Sequence, residues 1–134
     1  MSKPVRAVSR KKKSYAETVV ESITRGMQEK KARDIVVLDL RSIQGAASDY
    51  FVICHGDSST QADAIARSVE EAVFEDLKEN PAHVEGFKNA QWVLIDYISV
   101  VAHIFQPEPR QFYGLEKCWG DAVVTQVADN QVSV

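Results

Sequence analysis

The pentapeptide His55-Gly56-Asp57-Ser58-Ser59 joins an apolar run, Val52-Ile53-Cys54, to a helical pattern that opens near Gln61. A small polar turn at a helix start is a ready anion site, because the first backbone N–H groups have no intrahelical partner and the helix dipole favours negative charge. A phosphate held there would mark an enzyme. A Walker loop ends in Gly-Lys-Ser/Thr and a dinucleotide fingerprint spaces three glycines; this turn has one Gly and no Lys, which excludes both. Nucleotidyl transfer is the enzyme reading left, with a triphosphate on the Gly56–Ser58 turn and divalent metal on paired carboxylates. No Asp-x-Asp or Asp-x-Glu occurs in the chain, and Asp96 is alone on its strand. Helix capping and turn chemistry account for Asp57, Ser58 and Ser59 without a ligand, at about 1 kcal/mol of folding energy.

Other chemistry is thinner still. His55, His83 and His103 form no i, i+4 pair and no His-Glu-x-x-His, so no metal or cofactor site is expected. Cys54 and His55 are consecutive on a strand and point to opposite sides, which separates nucleophile from base. His103, flanked by apolar residues, reads as a hydrogen-bonded, semi-buried histidine. Cys54 and Cys118 lack Cys-x-x-Cys spacing and sit in apolar-patterned segments, where buried reduced thiols are expected.

Residues 92–119 stand out as a binding segment. Trp92, Tyr97, His103, Phe105, Arg110, Phe112, Tyr113 and Trp119 crowd there in a chain only 8% aromatic, and aromatics with Arg are the types enriched at binding hot spots. Apolar periodicity assigns Phe105, Phe112 and Trp119 to the core. Period-two geometry sends Trp92, Leu94 and Asp96 to one face of a strand and Val93, Ile95 and Tyr97 to the other. An exposed Trp-Leu-Asp strip would be a protein-binding face.

The elements that must position these residues alternate along the chain. Ser14 and Glu17 have capping-box spacing before a helix over 15–31, and "DIVVLDL" (34–40) and "DYFVICH" (49–55) read as strands. Ser58 with Gln61 opens a second helix, stopped by Asn80-Pro81; "AHVEGFKNA" (82–90) reads as loop. Two strands follow, "QWVLIDY" and "ISVVAHIF". Pro107 and Pro109 then suit only a helix start, ahead of Phe112, Leu115 and Trp119 at i, i+3, i+7; "VVTQV" is a short last strand. The order predicts a single α/β domain, a mixed β-sheet covered by helices. It would comprise a flexible basic arm (1–13), a body (14–125) and a C-terminal tail (126–134).

At 134 residues and 45% hydrophobic, the chain can bury a real core. The arm carries six Lys/Arg and no acid, leaving ten basic against 19 acidic side chains in the rest, a net of −9. An acidic body repels nucleic acid, so if the protein meets a ribonucleoprotein its folded surface should touch a basic protein, with only the arm able to make a weak RNA contact. No apolar run nears the roughly 20 residues of a membrane span and no secretory pattern opens the chain, so no membrane partner and a cytoplasmic location are expected.

Three segments together, "DYFVICHGDSSTQADAIA", "EGFKNAQWVLIDY" and "VVAHIFQPEPRQFYGLEKCW", closely resemble the Iojap-related family of ribosomal silencing factors over roughly 15–122. The resemblance implies a nucleotidyltransferase-like fold without its catalytic carboxylates. It implies a non-enzymatic factor that binds the large ribosomal subunit at its ribosomal protein fourteen, blocks small-subunit joining and lowers translation when nutrients are scarce. Family members can self-associate, so a homodimer is also implied as an alternative state. Carried over by position, Trp92, Leu94 and Asp96 belong to the partner-binding surface, and His103, Arg110, Tyr113 and Glu116 belong to it or to the packing behind it. Ile98-Ser99 stands where such proteins commonly have Gly-Asp, and a β-branched residue disfavours positive φ, so a turn of another shape is expected. Ala102 and Cys118 replace bulkier apolar residues, a local repacking. The competing reading is a nucleotide-binding enzyme using Gly56, Ser58 and Asp96.

Overall fold

The computed structural model describes residues 13–128. Helix α1 (Tyr15–Glu29) starts on a complete capping box: Ser14 Oγ accepts from the Glu17 N–H at 3.1 Å, and Glu17 Oε1 accepts from the Ser14 N–H at 2.9 Å. Strands β1 (Arg33–Asp39) and β2 (Tyr50–His55) follow, then α2 (Ser59–Leu77), which ends on Lys78 in the left-handed region, ahead of the expected Asn80-Pro81 stop. Next come β3 (His83–Glu85), β4 (Trp92–Asp96), β5 (Val100–Phe105), α3 (Pro107–Tyr113), α4 (Leu115–Cys118) and β6 (Val123–Val127). Among the described residues, no helix is long and apolar enough to cross a membrane.

The sheet order is β3-β4-β5-β2-β1-β6, with β2 and β5 parallel and every other neighbouring pair antiparallel. This is the expected single mixed α/β sheet. A parallel pair needs a long crossover, which α2 and the β3–β4 hairpin supply. All six residues of β5 are buried, so its two faces belong to two cores.

One face of the sheet is closed by both long helices. Val19, Ile23 and Met27 of α1 and Ile65, Val69 and Val73 of α2 pack on Val52, Cys54, Val93, Ile95, Ala102 and Ile104. The helices meet closely at Gly26, where an added Cβ would lie 2.8 Å from the Ser68 carbonyl oxygen and from Val69 Cα, and Ser68 Oγ donates to the Gly26 carbonyl at 2.8 Å. The other face carries a smaller core of Val36, Leu38, Leu40, Ile53 and Phe105, roofed by Ile43, Ala46, Phe51, Trp92, Leu115 and Trp119. Connections and short helices make this roof, and it leaves β4 half open.

Four expectations are corrected. The 82–90 segment contains strand β3, whose three residues are all exposed and show no apolar pattern. The helix over Phe112, Leu115 and Trp119 is two helices, broken at Gly114 with φ 55°. That break throws Phe112 out of the core to 82% exposure, while Trp119 stays packed on the smaller core. Cys118, expected buried, is exposed, whereas Cys54 is buried. Strand β6 covers the expected "VVTQV" segment, whose last two residues fall in the stretch assigned to the C-terminal tail. Residues 129–134 of that tail, and all of the basic arm but Lys13, lie outside the described residues; Lys13 pairs with Glu21 at 2.6 Å.

The helix contact generates a test. Gly26→Ala should lower stability by about 1–2 kcal/mol, overpacking against backbone outweighing the gain in helix propensity. Urea denaturation should show a lower midpoint with an unchanged slope.

Candidate functional site

The Gly56–Ser58 turn is closed on itself. Ser58 Oγ caps α2 by accepting from the Gln61 N–H at 3.1 Å, and Gln61 Oε1 accepts from the Asp57 N–H at 2.8 Å. The Gln61 amide donates to the carbonyls of Lys30 at 3.2 Å and Lys31 at 3.3 Å, stitching the turn to the end of α1. The Gly56 N–H is taken by the Phe105 carbonyl. Asp96 is also far away: His55, which precedes the turn, pairs with Phe105 at one end of β5, and Asp96 pairs with Val101 near the other. Four residues of strand separate them by about 13 Å along β5. Among the described residues no cluster of three His, Cys, Asp or Glu side chains is placed to hold a metal ion.

The half-open face of β4 is built differently. Trp92, Leu94 and Asp96 are partly exposed and alternate with the fully buried Val93 and Ile95. The Trp92 indole lies 4.9 Å from the Phe105 ring and 4.8 Å from Tyr113. Its Nε1–H donates to His103 Nδ1 at 3.1 Å. Beside the strand, Gly86 at φ 90° allows a backbone approach that an added Cβ would block by colliding with the Trp92 carbonyl. Leu94 sits directly opposite His103 in the register.

His103 lies behind this face, 3% exposed, its ring edge-on to Phe51 at 4.6 Å. Burial pushes its pKa down to about 3, so it is neutral, and accepting at Nδ1 places its proton on Nε2, which has no hydrogen-bond partner among the described residues. Arg110 is a strut between layers. Its guanidinium donates to both Glu116 oxygens at 2.7 and 3.4 Å, to His55 Nδ1 at 2.9 Å and to the Arg33 carbonyl at 3.4 Å. Burial, and then the Arg110 charge, hold the His55 pKa below its usual value. Arg110 and Glu116 thus tie α3 and α4 to the sheet and hold Tyr113 against Trp92.

The strip ends in a turn that corrects another expectation. Ile98 adopts φ 73° despite its β-branch, within a tight turn in which the Ser99 N–H donates to the Tyr97 carbonyl at 2.9 Å. Neighbours over-determine it: Asp96 Oδ1 accepts from the Ile98 N–H at 2.7 Å and Ser48 Oγ donates to the Ile98 carbonyl at 3.0 Å. Ile98 itself is 65% exposed. The residue that periodicity missed is Phe112, whose exposed ring stands edge-on to Tyr113 at 5.1 Å and extends the aromatic face. The αL-prone Gly114 was the available signal, since a helix that stops there cannot carry Phe112 inward.

Sheet order, helix placement and the half-roofed aromatic face define a single-domain α/β protein of mixed sheet. The sequence profile of the family described as "Ribosomal silencing factor during starvation" (RsfS) matches residues 13–133, and the chain belongs to that family. It is 46% identical over 94 residues to the ribosomal silencing factor RsfS of Bacillus subtilis, covering 70% of this chain and 78% of that one. It is 32% identical to the mouse protein named "Mitochondrial assembly of ribosomal large subunit protein 1", over 69% of this chain and 41% of that protein. A crystal structure of a Chromobacterium violaceum protein superposes with a TM-score of 0.75 at 26% identity, covering 90% of this chain and 95% of that chain.

Two outcomes follow from the geometry. A histidine held neutral when folded binds its proton only once unfolded, so its stabilising contribution is full above the unfolded value of 6.5 and falls as pH drops towards 3. Urea unfolding at pH 5 should show about 2 kcal/mol less stability from His103 than at pH 7.5, with His55 adding in the same direction, and His103→Asn should flatten the dependence. Asp39, held down by its Arg41 hydrogen bonds, and Asp76, by Ser22, lose stability only below the usual carboxylate range, whereas Glu70, whose pKa burial raises, works against the histidines as pH falls. Separately, Ile98→Gly should raise the thermal midpoint, gaining about 1 kcal/mol by releasing a β-branched residue from positive φ.

Proposed function

We propose that this chain silences ribosomes sterically: the Trp92-Leu94-Asp96 face docks on the large ribosomal subunit at its ribosomal protein fourteen and excludes the small subunit, repressing translation in the cytoplasm. The observation that carries the reading is the half-open aromatic strip on β4, a large apolar anchor beside a carboxylate on a sheet face that the smaller roof leaves uncovered. Its setting fits. The body outside the basic arm has a net charge of −9, which suits a basic protein partner and disfavours direct RNA contact except through the arm. Tyr113 and Phe112 extend the contact surface. His103, Arg110 and Glu116 serve from behind, holding Trp92 and α3–α4 in place. The activity is occupancy, without a catalytic step. Pairing of the same strip between two copies would compete with docking and hold the factor in reserve.

Co-sedimentation with purified large subunits, small subunits and intact ribosomes tests this reading. The wild-type chain should pellet with free large subunits alone. Leu94→Asp should weaken binding about tenfold or more, and Asp96→Asn, which keeps the acceptor for the Ile98 N–H, should weaken it less and reduce its salt dependence. If both variants are native by circular dichroism and bind like wild type, the face is wrongly assigned. Saturable, magnesium-dependent nucleotide binding that is lost on Asp96→Asn would favour the enzyme reading instead.

A further inference from the structure

We infer that His103 is the positioning residue for Trp92: its buried Nδ1 accepts the indole N–H and holds the ring in the one orientation that completes the docking strip. The inference rests on the docking reading above. Packing alone does not explain a histidine here. The ring is 3% exposed among Phe51, Trp92 and Phe105, and its Nε2 has no partner among the described residues. A buried donor left unpaired is destabilising, a cost that an apolar residue of similar shape would not incur.

What the imidazole supplies in return is one acceptor, 3.1 Å from Trp92 Nε1. The indole needs it. The χ2 torsion of Trp has two broad wells, and rotating between them swaps the N–H edge for a carbon edge. Phe105 and Tyr113 contact the ring through π surfaces and do not distinguish its two edges strongly. The hydrogen bond does, because in any other orientation the N–H leaves its partner while still next to apolar rings. His103 is also fixed more firmly than a surface acceptor would be. It occupies the middle of β5, paired with Ile53 on β2 and with Leu94 on β4. The acceptor is therefore part of the sheet, and the partly exposed anchor inherits the rigidity of the core.

The experiment uses the full chain and three His103 variants, read by large-subunit co-sedimentation and by hydrogen exchange of the Trp92 indole N–H in NMR spectra. His103→Leu should speed indole exchange and weaken binding, each about tenfold, the value of one buried hydrogen bond. His103→Asn, whose Oδ1 falls near the place of Nδ1, should recover binding to within about threefold. His103→Gln is equally polar but carries its oxygen one bond further and should not. A His103→Leu variant that frees the indole yet binds like wild type, while Leu94→Asp does not bind, overturns the positioning role and leaves the docking face intact. Wild-type binding by Leu94→Asp overturns the face itself. Should His103→Leu fail to fold, the Asn and Gln variants decide: equal binding by the two overturns the inference, and binding by Asn alone supports it.

Discussion

Strand β5 is buried along its whole length, and that constraint organises the molecule. Val100, Ala102 and Ile104 look towards the helices, while Val101, His103 and Phe105 look the other way. A strand buried on both faces requires two covering layers, and the chain provides them unequally. Two long amphipathic helices seal one side. The other side receives, among the described residues, the connection after β1, two short helices and the side chains of Phe51, Trp92 and Trp119. That second layer is too narrow to cross the sheet, so β4 emerges from beneath it with alternate residues exposed. The candidate face exists because the second core runs out before the sheet does.

A thin roof must be braced from inside, which explains why the polar groups of the smaller core sit where they do. Arg110, with 11% of its side chain exposed, reaches Glu116, His55 and the Arg33 carbonyl, so one guanidinium joins α3, α4, β1 and β2. A buried charge of this kind is tolerated when its donors are all met, and the bidentate carboxylate meets the largest share. Apolar contact alone from two helices of seven and four residues would bury too little to hold them. The same bracing presents Tyr113 to Trp92, so fold stability and surface shape depend on the same bonds.

The long elements were legible from sequence because each declares itself locally. The Ser14–Glu17 box, the apolar stripe of α2 and the β-branched runs of β1, β2 and β5 agree with their tertiary setting. The alternation Trp92-Val93-Leu94-Ile95-Asp96 likewise marked which side chains leave the core. What escaped was set by tertiary context or by single backbone torsions. Strand β3 has no apolar face because it is an edge strand, paired on one side with β4. Phe112 fits a helical stripe until Gly114 breaks it. Ile98 obeys no local preference at φ 73°, and is held there by Asp96 and Ser48 from outside the turn. The division of labour between Trp92 and His103 was equally hidden, since residues 11 apart in sequence become neighbours only through the β4–β5 register.

Seen along β4, the strip is fixed at both ends. At the start, Gly86, Phe105 and His103 hold the Trp92 backbone, ring and N–H respectively. At the finish, the Asp96 carboxylate is oriented by the Ile98 N–H in a turn whose torsion costs about 1–2 kcal/mol. Local strain at an exposed residue serves no packing purpose, because Ile98 touches little of the core. It does fix where Asp96 points. Freezing a rotamer-rich side chain at an interface costs about 0.5–1.5 kcal/mol on binding, and a side chain already frozen in the free protein avoids that cost. On the proposed docking face, a ring pinned by a buried histidine and a carboxylate pinned by a strained turn move that ordering cost into folding. The large helix-covered core is what makes the transfer sustainable, since it supplies the stability that the smaller core spends on orientation.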